Sequence, residues 1–137
     1  QAEAIAGARA LLAGLPSERW ALVTSASQRV ARHRLRSAAL PLPALLVGAE
    51  DVVHGKPDPE PYLLATRSLG VAASGCFAIE DSLTGMQSAL GAGLQTLQLR
   101  TPYLTAGLPD EVAGAIVASE PSLPALASWL MAKLRAN

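Results

Sequence analysis

The sequence of 137 residues has little cysteine, few aromatic residues and no net charge. A single cysteine, Cys76, excludes an internal disulfide framework and is typical of a reducing compartment, so we expect a cytoplasmic protein. Eleven basic residues balance eleven acidic ones, which gives no electrostatic reason to expect a nucleic acid or a membrane surface as partner. No apolar run approaches the roughly 18–20 residues that cross a bilayer, so no transmembrane segment is predicted.

Aliphatic side chains, in contrast, are abundant. Hydrophobic residues make up 50% of the sequence and aromatic residues only 4%, so the core must be mainly aliphatic and intrinsic disorder is excluded. The length suits one compact domain. The chain begins with Gln1 rather than Met, with no signal peptide before it, and we therefore expect that an upstream segment is missing.

Short apolar runs alternate with helical segments along the chain. The strand candidates are 20–23, 45–47, 76–79, 94–99 and 115–117, and the helix candidates are 3–15, 28–40, 59–69, 83–90 and 122–134. This alternation is typical of βα units. The sequence therefore predicts an α/β fold in which a mostly parallel sheet is covered by helices on both faces.

The predicted helix after the second strand has clear start and stop signals. Asp58 is expected to cap it, Pro59 to occupy its first position and Gly70 to end it. The residues expected on its buried side are Tyr62, Leu63, Thr66 and Leu69.

Polar and charged residues follow three of the predicted strands. They are Thr24 and Ser25 after the first strand, Lys56 in the loop after the second, and Glu80 and Asp81 after the third. In open α/β sheets ligands bind outside the carboxyl ends of the strands, so these side chains are expected at one edge of the sheet. Hydroxyls and a cation suit a phosphoryl group, and carboxylate oxygens suit Mg²⁺.

Each of these signals also has a purely structural interpretation. Thr24 and Ser25 are typical turn residues, and Lys56 is typical of a solvated loop. Asp81 or Ser82 suits the cap of the next helix. The two adjacent carboxylates repel each other, however, and a bound cation would relieve that repulsion. Together and in this order, the three signals favour a phosphate and metal site.

Three segments resemble motifs of the haloacid dehalogenase superfamily, the aspartate-dependent phosphohydrolases. Segment 20–27 resembles the second motif, in which Ser25, with Thr24 as the rival, would hold the transferring phosphoryl group. Segment 54–62 resembles the third motif, in which Lys56 would pair with the phosphoryl oxygens and the nucleophile. Segment 78–85 resembles the fourth, in which Asp81 would bind Mg²⁺ and Glu80 would support or share it.

The resemblance implies a three-layer, Rossmann-like core and a small phosphorylated substrate. Among the subgroups, the chain is most similar to sugar-phosphate and polyol-phosphate phosphatases and to their relative β-phosphoglucomutase. The function it implies for the parent protein is Mg²⁺-dependent hydrolysis of such phosphates through an aspartyl-phosphate. Two alternatives stay open: a phosphomutase of the same fold, and a non-catalytic α/β module for ligand binding or interaction.

One part of the family pattern is missing from the sequence. The first motif is an Asp-x-Asp at the end of a first, central strand, and no Asp-x-Asp occurs here. The cap domain that follows that motif is missing too. The 137 residues are therefore expected to form a partial core without its central strand, between the strands at 20–23 and 76–79. We expect the chain alone to be inactive, and to need the upstream segment, a partner chain or an altered sheet in order to fold.

Overall fold

The computed structural model describes residues 7–104 and 107–136. The strands are β1 (Ala21–Val23), β2 (Leu45–Val47), β3 (Phe77–Glu80), β4 (Gln95–Leu99) and β5 (Ala118–Glu120). The helices are α1 (Ala8–Ala13), α2 (Gln28–Ser37), α3 (Glu60–Leu69), α4 (Leu83–Gly91), α5 (Asp110–Ala113) and α6 (Leu123–Arg135). In these residues no helix has the length and apolar character needed to span a bilayer.

The strands form two parallel sheets instead of one. β1 pairs with β2, placing Val23 opposite Val47. β3, β4 and β5 form the second sheet in that order, with Glu80 opposite Gln98. In the described part of the chain, no backbone pairing joins β1 to β3. The α/β class and the parallel pairing are confirmed, and the two partial sheets agree with a core that lacks a strand between them.

Helices cover both faces of these sheets, giving three layers. One face of the larger sheet packs against α3 and α4, with a core of Tyr62, Ala78, Ala89, Ala92 and Leu94. Its other face packs against α1 and α6, with a core of Leu97, Leu99, Leu123 and Leu126. The smaller sheet packs against α2 through Ala31, Leu35 and Leu46. The buried side chains are mainly aliphatic, as the composition predicts.

Three helices that follow strands have a serine as N-cap. The hydroxyls of Ser27, Ser82 and Ser122 accept hydrogen bonds from the backbone N–H three residues on, at the starts of α2, α4 and α6. A serine at this position satisfies one of the N–H groups that have no partner within the helix. These three helices begin three to five residues after the preceding strand ends.

Several predicted boundaries were wrong. The helix predicted over 28–40 ends at Ser37, and the strand predicted over 76–79 lies one residue later, at Phe77–Glu80. The strand predicted over 115–117 is Ala118–Glu120. The Val117 N–H donates to the Thr96 carbonyl, and the residues that pair with β4 follow Val117 in the chain. Of the helix predicted over 3–15, residues 3–6 lie outside the described residues and the helix itself is Ala8–Ala13.

The predicted end of α3 is confirmed, whereas its predicted start and part of its predicted buried side are not. The helix begins at Glu60, one residue later than predicted, with Pro59 in the capping position. The Asp58 carboxylate still accepts the Glu60 N–H, at 2.9 Å. Gly70 ends the helix with a φ of 72°, the left-handed conformation that glycine adopts without strain. Leu63, predicted on the buried side, is 40% exposed.

Candidate active site

Lys56 lies between the carboxyl ends of the two sheets. Its ammonium donates to the carbonyl oxygen of Val23, at the end of β1, at 3.0 Å. It also donates to Oε2 of Glu80, at the end of β3, at 2.8 Å. Only 12% of the Lys56 side chain is exposed, so it is not the solvated loop lysine of the structural interpretation. The charge is held where the two strand ends face each other.

The loop that carries Lys56 is fixed on both sides of that residue. Before it, the Glu60 carboxylate accepts the backbone N–H groups of Val53 and His54, at 2.8 and 3.0 Å. These two hydrogen bonds hold the pKa of Glu60 below its ordinary value. After it, the buried Ser88 hydroxyl of α4 donates to the Asp58 carbonyl at 2.6 Å. The Lys56 backbone is therefore anchored to α3 and to α4.

Glu80 is a buried carboxylate with two hydrogen-bond donors on one of its oxygens. It is 7% exposed, and its Oε2 accepts the Lys56 ammonium and the Tyr62 hydroxyl. On its other side lies Gly85, where an added β-carbon would overlap the carboxylate. Burial, followed by the negative charges of Glu80 and Asp81, raises the pKa of Tyr62 strongly. The phenol therefore remains a neutral hydrogen-bond donor to Glu80.

Thr24 and Ser25 lie directly after β1, next to the carbonyl that Lys56 contacts. The Thr24 hydroxyl accepts the Ala26 N–H at 3.1 Å, a local turn contact. Ser25 is exposed. The Ser25 hydroxyl is thus the more accessible of the two at this edge, while the choice between them stays a prediction.

Asp81 is exposed and directly follows Glu80 at the end of β3. Ser82 caps α4, so the structure gives that role to Ser82 and leaves the Asp81 carboxylate free of it. Residues 7–104 and 107–136 contain no cluster of three or more His, Cys, Asp or Glu side chains placed to bind a metal. Mg²⁺ commonly uses one or two protein carboxylates together with substrate phosphate and water. Asp81, with Glu80 beside it, fits that pattern.

Tyr62 is the residue at this site that the sequence interpretation missed. It was expected only as a buried residue of the α3 helix, and it is 7% exposed as expected. Its hydroxyl binds Glu80, and Lys56 Nζ lies 5.5 Å from its ring centroid. A buried tyrosine hydroxyl usually needs a hydrogen-bond partner. A search for that partner among the residues at the strand ends would have found the link.

The fold and the site define a three-layer α/β protein whose charged residues meet at the carboxyl ends of parallel strands. The family model for a haloacid dehalogenase-like hydrolase matches residues 1–93. The chain belongs to this family of hydrolases, and the resemblance carried by the three sequence segments is confirmed.

Two curated proteins and one solved structure are similar to this chain. The chain is 44% identical over 112 residues to hexitol phosphatase A of Escherichia coli strain K12, covering 78% of this chain and 50% of that protein. It is 36% identical over 102 residues to a phosphorylated carbohydrates phosphatase of Thermotoga maritima, covering 74% and 47%. The crystal structure of a provisionally named β-phosphoglucomutase from Thermotoga maritima matches with a TM-score of 0.69 at 33% identity, covering 84% and 54%. The chain spans about half the length of the curated relatives it matches.

Proposed function

We propose that the protein to which this chain belongs is a Mg²⁺-dependent phosphatase of small sugar or polyol phosphates. The observation that carries the proposal is the position of the Lys56 ammonium, which is buried between the ends of β1 and β3 beside Glu80 and Asp81. The similarity to hexitol phosphatase A and to the phosphorylated carbohydrates phosphatase supports the substrate class. The single cysteine supports a reducing location, for which we propose the cytoplasm.

Each site residue has a role in this proposal. Lys56 offsets the negative charge of the phosphoryl group, and Ser25, with Thr24 as the alternative, donates a hydrogen bond that orients it. Asp81 and Glu80 hold the Mg²⁺ ion. When bound, the ion would neutralise phosphoryl charge as it develops during transfer.

The nucleophile in the proposal is an aspartate that the 137 residues do not provide. An Asp-x-Asp at the end of a strand between β1 and β3 would lie beside Lys56, which already contacts the ends of both. Its carboxylate would attack phosphorus as the P–O bond to the substrate breaks, and the second aspartate of the motif would give its proton to the leaving alcohol oxygen, forming an aspartyl-phosphate. Water would then cleave that bond and release inorganic phosphate. In this proposal residues 1–137 are a partial core.

A phosphomutase is the second candidate, favoured by the structural match to the provisionally named β-phosphoglucomutase. A phosphomutase returns the phosphoryl group to the sugar, whereas a phosphatase transfers it to water. Inorganic phosphate equal to the sugar phosphate consumed identifies the phosphatase, and isomerised sugar phosphate without release identifies the mutase.

The decisive observation is the coding sequence upstream of Gln1, where an apolar strand ending in Asp-x-Asp followed by Gly-Thr is expected. The protein that includes it should release phosphate from hexitol phosphates or glycerol phosphate with Mg²⁺ and not with EDTA. Lys56→Met should abolish this release, while Lys133→Met, which removes the other, exposed lysine, should leave it unchanged. Hydrolysis that survives Lys56→Met, or Lys56-dependent hydrolysis by residues 1–137 alone, would overturn the proposal.

A further inference from the structure

Tyr62 contacts both members of the Lys56–Glu80 pair. Its hydroxyl donates to the same Glu80 oxygen that receives the Lys56 ammonium. Its ring lies beside Lys56 Nζ, 5.5 Å from the centroid, within the distance at which a cation is attracted by an aromatic face. One side chain of α3 therefore acts on the buried charges that belong to the Lys56 loop and to β3.

These contacts confine the pair. Gly85 packs against the Glu80 carboxylate from one side, and the Tyr62 hydroxyl and the Lys56 ammonium hold it from the other. Tyr62 is itself fixed in the core with Ala78 and Ala89, so its hydroxyl has a defined position. Without that hydroxyl, Glu80 would keep Lys56 as a partner but lose the donor that fixes the direction of its carboxylate.

We propose that Tyr62 is a positioning residue of the site: it holds Glu80, and through Glu80 the Lys56 ammonium, in the place where the phosphoryl group is received. This inference rests on the proposed function. Tyr62 does not touch the substrate in this role. Precise placement of a charged group affects the transition state more than the ground state, because charge develops on the phosphoryl oxygens during transfer.

The test is Tyr62→Phe, which removes the hydroxyl and keeps the ring, in the active protein that contains this chain. We expect kcat to fall about tenfold while KM changes less than about twofold. The inhibition constant for orthovanadate, which imitates the transferring phosphoryl group, should rise about tenfold. A smaller folded fraction lowers kcat alone and leaves both KM and the inhibition constant unchanged. The matched control is Tyr103→Phe, at a tyrosine that is 85% exposed, and it should change none of these constants.

The outcomes distinguish a failure of the proposed function from a failure of the role of Tyr62. An inactive wild-type protein overturns the proposed function and this inference with it. An active wild type with unchanged kcat and vanadate inhibition in Tyr62→Phe overturns only the role of Tyr62. If Tyr62→Phe does not fold, 3-fluorotyrosine incorporated only at an amber codon in place of the Tyr62 codon labels that position alone. Its single fluorine resonance should then shift in Glu80→Gln, and an unchanged resonance would refute the contact on which the role depends.

Discussion

Replacing Lys56 with methionine removes the positive charge from a buried pair and leaves most of the side-chain stem in place. The Lys56 and Glu80 side chains are 12% and 7% exposed, so the interaction is weakly screened by solvent. Removing one partner of a buried ion pair costs about 3–5 kcal/mol, because the remaining charge stays buried without compensation. The Tyr62 hydroxyl still donates to Glu80, so we expect the low end of this range, about 3 kcal/mol.

Urea unfolding at pH 7, followed by circular dichroism, measures this loss as a change in the free energy of unfolding. Lys133→Met is the matched control, since Lys133 is exposed, and it should change stability by less than about 0.5 kcal/mol. The double variant Lys56→Met/Glu80→Gln no longer buries an unpaired charge and should recover about 2 kcal/mol of the loss. The reasoning is refuted if Lys56→Met is as stable as Lys133→Met, or if the double variant is no more stable than the single one.

Two further predictions follow from the surroundings of this pair. Gly85→Ala should destabilise the protein by about 1–3 kcal/mol, because the new β-carbon overlaps the Glu80 carboxylate. Gly91→Ala, in the same helix, meets its nearest neighbour at an ordinary 3.4 Å and should cause no loss; equal melting temperatures of the two variants would contradict the argument. Glu60→Gln should lower the melting temperature at pH 7. The pKa of Glu60 is lowered in the folded protein, so its hydrogen bonds to the backbone of residues 53 and 54 stabilise the fold at pH values above 4.5, the ordinary pKa of the group. That difference should shrink as the pH falls below 4.5, and a difference independent of pH would show that the carboxylate charge is not responsible.

Local patterns in the sequence were enough to predict the fold class and most of the elements. The alternation of apolar runs and helices gave the α/β class, and Gly70 ends α3 as predicted. The fifth strand was misplaced because its position depends on pairing: Ile116 and Val117 are the apolar residues, yet the ladder with β4 uses the more polar Ala118–Glu120. A hydrophobic run marks the approach to an edge strand without fixing which residues pair.

The location of the candidate site could be predicted from the sequence, but the contacts between its side chains could not. Topology brings the carboxyl ends of parallel strands together, so Lys56 and Glu80 were expected at one edge. Nothing in their spacing indicates that they form a buried ion pair, or that Tyr62 completes it. Those contacts arise where α3 packs against both sheets. The pattern of residues along one sequence does not show which three side chains meet in such a place.

The two hydrogen bonds made by the Lys56 ammonium have a consequence for ligand affinity. These bonds use two of the three ammonium protons, so an anion can accept the third without displacing the Val23 carbonyl or the Glu80 carboxylate. An anion that takes a second proton must displace one of these two acceptors, and its measured affinity is then reduced by the free energy of that displacement. In this molecule, the contact between the two sheets and the binding of a phosphate group therefore depend on the same ammonium group.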